Sequence, residues 1–117
     1  MRLVDGIVVC FVTVLAWGCG GAPPPVDQRV ATEAGIRGAK EAGAEQEPAA
    51  KLYLKLADEQ LSKAKKLIDD GDNEEALALL QRAESDADLA HALAKKKASE
   101  EIAAEAAKAV DKVKKDK

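Results

Sequence analysis

Few side chains in this sequence have the makings of chemistry: two cysteines, one histidine, one run of carboxylates and a lysine-rich end. Cys19 is the most informative. It closes an apolar stretch from Ile7 to Gly18 and is followed by Gly20-Gly21-Ala22-Pro23-Pro24-Pro25. That order reads as a secretory signal (1–18), a thiol placed for lipid attachment with a Gly/Pro-rich tether (19–25), and a helical payload (26–117). His91 lies between Ala90 and Ala92 with no second His or free Cys to join it, so it is expected at a surface or helix boundary. Asp69, Asp70, Asp72, Glu74 and Glu75 could gather a cation, but Gly71 falls at the sixth position of an EF-hand loop in no register. Helix capping explains the same residues. Ser62, Ser85 and Ser99 sit inside helical pattern without a Gly-x-Ser-x-Gly elbow. No catalytic residue, metal ligand or cofactor is expected, apart from covalent lipid on Cys19, and the chain reads as a non-enzyme.

Met1 and Arg2 give the leader a small positive start, partly offset by Asp5. Its apolar run is about 11 residues, far short of the roughly 20 that a transmembrane helix needs. Gly18-Cys19 resembles the end of a bacterial lipobox, in which the Cys is diacylated and becomes the new N-terminus. That pattern places Leu three residues before the Cys and a small residue two before. Here Ala16 and Trp17 hold those places, and Leu15 stands one place early. Leu15, Ala16 and Gly18 are the residues a signal peptidase would read. Ala16-x-Gly18 also suits the ordinary signal peptidase, so secretion without lipid stays open beside lipid attachment. The lipobox resemblance implies a diacylglycerol/acyl anchor worth about 0.8 kcal/mol per buried methylene. With Gly20 rather than Asp after the Cys, it implies sorting to the periplasmic face of the outer membrane rather than inner-membrane retention.

Composition narrows the rest. The chain has 117 residues, enough for one small domain, and 24 of them are Ala. Cys10 leaves with the leader and Cys19 carries lipid, so no disulfide is available. An alanine seam buries little apolar surface, and at about 25 cal/mol per Å² it stabilises far less than a leucine seam of equal length. Net charge is −3, with aromatics at 3%. That combination excludes nucleic acid, which needs a basic face or stacking rings.

Pro23-Pro24-Pro25 favours an extended spacer of roughly 10–20 Å at about 3 Å per residue. The pattern then predicts an all-α fold of three helices, an antiparallel hairpin or three-helix bundle with a long C-terminal helix. The first helix spans about 27–44, with Val26, Val30 and Ala34 as its seam and Ile36 and Ala39 beside it. Gly35, Gly38 and Gly43 weaken it or let it approach a neighbour closely. The second spans about 48–70. Pro48 suits its first position, and Ala50, Leu54, Ala57, Leu61, Ala64 and Ile68 form its core face, widened by Leu56, Gln60 and Leu67. Gly71 closes it, and Asp72 with Glu75 makes a capping-box-like start to the third. That third helix spans about 73–115, with Ala76, Leu80, Ala83, Ala87, Ala90 and Ala94 as a first seam. A second seam runs through Ala98, Ile102, Ala106, Ala109 or Val110, and Val113. At about 1.5 Å per residue it is roughly 65 Å long, so about its last 20 residues overhang the bundle.

Gly71-Asp72-Asn73-Glu74-Glu75-Ala76, with Pro48, the second-helix seam, Ala83 and the alanines after it, resembles an uncharacterised Ala-rich helical domain of Gram-negative envelope lipoproteins. This domain-of-unknown-function family covers about Val30 to Ala107 here. Some relatives join it to an OmpA-like peptidoglycan-binding module, which this sequence lacks. The resemblance implies a fold and an envelope setting; it carries no activity.

Two surfaces remain for partners. The overhanging seam of Ile102, Ala106, Val110 and Val113 is the candidate contact for a protein partner or for self-association. Lys112, Lys114, Lys115 and Lys117 are the candidate contact for anionic lipid or cell-wall polymer. The terminal Lys117 also resembles the end of the murein lipoproteins, whose last lysine is joined to peptidoglycan, although Asp116 departs from their basic ending. Two readings follow: a structural or interaction module at the outer membrane, and a lipoprotein linking that membrane to peptidoglycan. Deleting Lys117 alone separates them, because sacculus attachment is abolished in the second reading and unchanged in the first.

Overall fold

The computed structural model describes residues 21–116, and these form three α-helices without strands. The leader, including Leu15, Ala16, Gly18 and Cys19, and the terminal Lys117 lie outside the described residues. Helix α1 is Val26–Glu41, α2 is Pro48–Asp70 and α3 is Asn73–Lys115. The fold is all-α, an up-down-up bundle from which α3 projects.

Local chemistry sets the helix ends. Pro48 occupies the first turn of α2, where its missing N–H costs nothing, and the Glu47 carboxylate accepts from the Ala50 N–H. At the other end Gly71 takes φ 87°, the left-handed conformation that glycine adopts without steric penalty. There the Gly71 N–H donates to Ile68 O at 3.1 Å and the Asp72 N–H to Leu67 O at 2.8 Å. This paired closure satisfies carbonyls that the helix end would otherwise leave bare. Asp72 is thereby tied to the end of α2. It begins α3 through its carbonyl, which accepts from Ala76 N–H at 3.0 Å, and its side chain caps nothing. The expected capping box with Glu75 is therefore not formed.

Gly43 repeats the device at the end of α1. It takes φ 90°, donates to Lys40 O, and lets the Ala44 N–H reach Ala39 O at 3.0 Å. The first helix consequently stops at Glu41 rather than running on to 44, and Gly43 is its terminator rather than a weak interior position.

The core is thin and made mostly of alanine. Ala50, Leu54, Ala57, Leu61 and Ala64 of α2 cluster with Leu80, Ala87, Ala90 and Ala94 of α3 and with Ile36, Ala39 and Ala44, and Ala76 and Ala83 of α3 are buried too. Ile68 is only partly covered. Among the described residues Leu80 is the one leucine that is fully buried, so it fills the space the small residues leave.

Helix α1 lies parallel to α3 and antiparallel to α2, and its seam differs from the one the pattern predicts. Val26, Val30 and Ala34 are exposed; Thr32, Ile36 and Ala39 are buried. The reason is hydrogen bonding. The Thr32 hydroxyl donates to Gln28 O at 2.8 Å and also lies 3.1 Å from Leu80 O, so a polar side chain sits in the core fully satisfied. The Gln28 amide donates to the Glu84 carboxylate on α3, fixing the same face inward. Gly35 follows on that face, where an added Cβ would stand 3.6 Å from the Ala87 Cβ. The Thr32 bonds and the Gln28–Glu84 bond turn the valines to solvent.

Leu80→Ala leaves a cavity where nothing small can fill in and is expected to destabilise the bundle by about 3 kcal/mol. Ile102→Ala on the overhang is expected to leave the chemical-denaturation midpoint unchanged.

Candidate functional site

Polar ties on the outside of the bundle hold its register. Lys40 pairs with Asp58 at 3.1 Å and Lys65 with Glu33 at 2.8 Å, both joining α1 to α2. Gln60 donates to Asp86 at 2.7 Å between α2 and α3. Asn73 Nδ2 donates to Ala22 O at 2.6 Å, which pins the start of the described chain beside the α2–α3 turn. Ala22 therefore lies at one pole of the molecule, and the C-terminal end of α3 lies at the other.

That distal end is the candidate site. From Lys95 onward every described residue of α3 is exposed. The turn between α1 and α2 borders shallow grooves with α3 as far as Ile102, where Gly38, Glu41, Ala42, His91, Lys95 and Ser99 surround a space of about 530 Å³. Half-buried His91 sits at that boundary. Ile102, Val110 and Val113 are 70%, 53% and 62% exposed, and Ala106 and Ala109 lie with them. Lys112, Lys114 and Lys115 are exposed around the same end.

Helical geometry assigns this stripe a direction. At about 100° per residue, Ile102, Ala106, Ala109 and Val113 share one face, about a quarter turn from the Ala76–Ala94 seam. It lies on the side that carries Glu84 and hence α1. The positions that continue the α2-facing seam directly are Glu101, Glu105, Lys108 and Lys112, all charged. The overhang is thus a separate apolar face, in line with α1 and beyond its end. What the sequence reading missed is the charge order beside it. Glu100, Glu101 and Glu105 precede Lys108, Lys112, Lys114 and Lys115, with Asp111 the one acid among those lysines, a segregation visible in the sequence once the face is known.

Lys96–Glu100 at 3.7 Å and Lys97–Glu101 at 3.4 Å are exposed i,i+4 pairs worth about 0.2–0.5 kcal/mol each. The acidic residues Asp69, Asp70, Asp72, Glu74 and Glu75 are all exposed. Among the described residues no three His, Cys, Asp or Glu side chains are grouped to hold a metal ion. No helix there is long and apolar enough to cross a membrane.

Residues 27–112 match the family described as Domain of unknown function (DUF4398). The chain belongs to this family. The match begins one residue into α1 and ends near the tip of α3, so the DUF4398 domain takes in both the bundle and most of the overhang. No curated protein and no solved structure matches the chain.

One carboxylate of this DUF4398 domain is electrostatically tuned. The hydrogen bond from Lys65 holds Glu33 below its ordinary value, against a smaller opposing effect of burial, and the charges of Lys65, Arg29 and Arg37 add to the lowering. A depressed carboxylate stabilises the fold at pH values above its unfolded range, and that stability is lost as pH falls through the lowered value. Acid thermal scans should therefore show a component that Glu33→Gln removes. At neutral pH the same variant should melt slightly earlier, by less than about 1 kcal/mol, because the pair is partly exposed.

Proposed function

We propose that this DUF4398 protein is a non-enzymatic outer-membrane lipoprotein that acts as a periplasmic structural or protein-interaction module. Cys19 carries the lipid three residues before Ala22, which Asn73 holds against the bundle, and the α3 overhang meets a protein partner. The observation that carries the reading is the exposed stripe of Ile102, Ala106, Ala109, Val110 and Val113 on a helix that has left its own bundle. Large apolar side chains aligned on one face gain about 25 cal/mol for each Å² removed from water, and the bundle removes none of theirs.

The polarity of the molecule supports the same reading. Asn73 holds Ala22 at the proximal pole, and α3 places the stripe roughly 45–60 Å from it at about 1.5 Å per residue. A lipid on Cys19 would thus attach at the end of the molecule remote from the stripe. Envelope localisation and the fusion of relatives to OmpA-like modules belong to this proposal.

Two measurements test it. Metabolic labelling with a fatty-acid analogue should mark the wild type and leave Cys19→Ser unlabelled; an unmarked wild type removes the anchor. Photo-crosslinkers placed at Ile102 and Val110 in cells should give discrete protein adducts, which mass spectrometry would identify. No adduct above background at either position would remove the interaction role.

A further inference from the structure

We infer that the occupant of the α3 stripe is a second copy of this chain, paired antiparallel overhang to overhang. The inference rests on the interaction reading above and names its partner. Ile102, Ala106, Ala109 and Val113 are spaced four, three and four residues apart, the spacing of a coiled-coil seam. When two such stripes run in opposite directions about a two-fold axis passing between residues 107 and 108, the layers match. Ile102 meets Val113 of the other copy, Ala106 meets Ala109, and symmetry repeats both contacts. Large residues close the two ends, and the alanine layers let the helices approach closely in the middle.

Charge selects the antiparallel direction. Glu105 and Lys112 flank the stripe on one side and make no ion pair among the described residues. In the antiparallel pair Glu105 of each copy reaches Lys112 of the other, so two salt bridges form. On the opposite flank Val110 meets Ala103, which widens the apolar contact. A parallel pair would instead set the acidic 100–105 stretch of one copy beside its counterpart, and the lysines of 108–115 beside theirs. Like charges at that range oppose association.

The geometry has a consequence for anchored copies. Each tether leaves near Asn73, so the two tethers of a pair emerge at opposite ends of a rod, roughly 100 Å apart at about 1.5 Å per residue. Two copies anchored in one membrane would lie along its surface rather than stand on it.

A charge-swap cycle in the purified full chain tests the pairing, read by sedimentation equilibrium, with circular dichroism to show that helix content is retained. Glu105→Lys and Lys112→Glu should each weaken dimerisation roughly tenfold, since each turns two attractions into repulsions. The double variant E105K/K112E should return to near wild-type affinity. A photo-crosslinker at Val113 should join the Ile102 region of a differently tagged copy. A monomeric wild type, single variants without effect, a double variant no better than either single, or a Val113-to-Val113 crosslink would each overturn the antiparallel pair. A monomer in solution that still gives discrete adducts to another protein in cells would sink self-pairing alone and leave the interaction module standing. A monomer with no adducts would remove both.

Discussion

The close approach of α2 and α3 along alanine is the constraint from which the rest of the molecule follows. Ala50, Ala57 and Ala64 on one side and Ala87, Ala90 and Ala94 on the other bring the helices near, and among the described leucines only Leu80 is wholly enclosed. Such a seam gains specificity from shape but little free energy from area. The molecule compensates outside the core. Lys40–Asp58, Lys65–Glu33, Gln28–Glu84 and Gln60–Asp86 tie each pair of helices at a defined register. Each tie is weak alone; together they exclude the slipped arrangements that a uniform alanine surface would otherwise permit.

The hairpin was legible in the sequence because its determinants are local. Pro48, Gly71 and the three-and-four spacing of Ala50, Leu54, Ala57, Leu61 and Ala64 and of Ala76, Leu80, Ala83 and Ala87 state where two helices begin, end and face each other. The first helix was misread because its orientation depends on bonds that do not look apolar. Thr32 enters the core through its hydroxyl, and Gln28 faces inward because Glu84 is there to receive it. Hydrophobicity alone favoured Val26 and Val30, which the structure leaves in water. Gly43 escaped notice for a similar reason, since a terminating glycine and an interior one are the same letter until the chain turns.

The candidate surface was half legible. Ile102, Ala106, Val110 and Val113 announce a stripe, and the length of α3 announces that it outruns the bundle. The stripe's direction was not legible as a continuation of the first seam, because it turns toward the track of α1 while the α2 track fills with Glu101, Glu105, Lys108 and Lys112. An overhang of this kind stays helical at modest cost. It extends a helix already nucleated by packing, so each added residue needs only propagation, which alanine favours.

The bond between Asn73 and Ala22 also gives the molecule a mechanical axis. Load entering the chain at Ala22 and leaving at the tip of α3 pulls α1 and α3 toward opposite ends, because the two helices run parallel. Their contact, from Gln28–Glu84 through Thr32–Leu80 to Gly35–Ala87, is then sheared along its length. Sheared contacts share a load and fail together, whereas peeled ones fail singly. The helix with the fewest buried residues thus lies where tension is resisted by many small contacts at once.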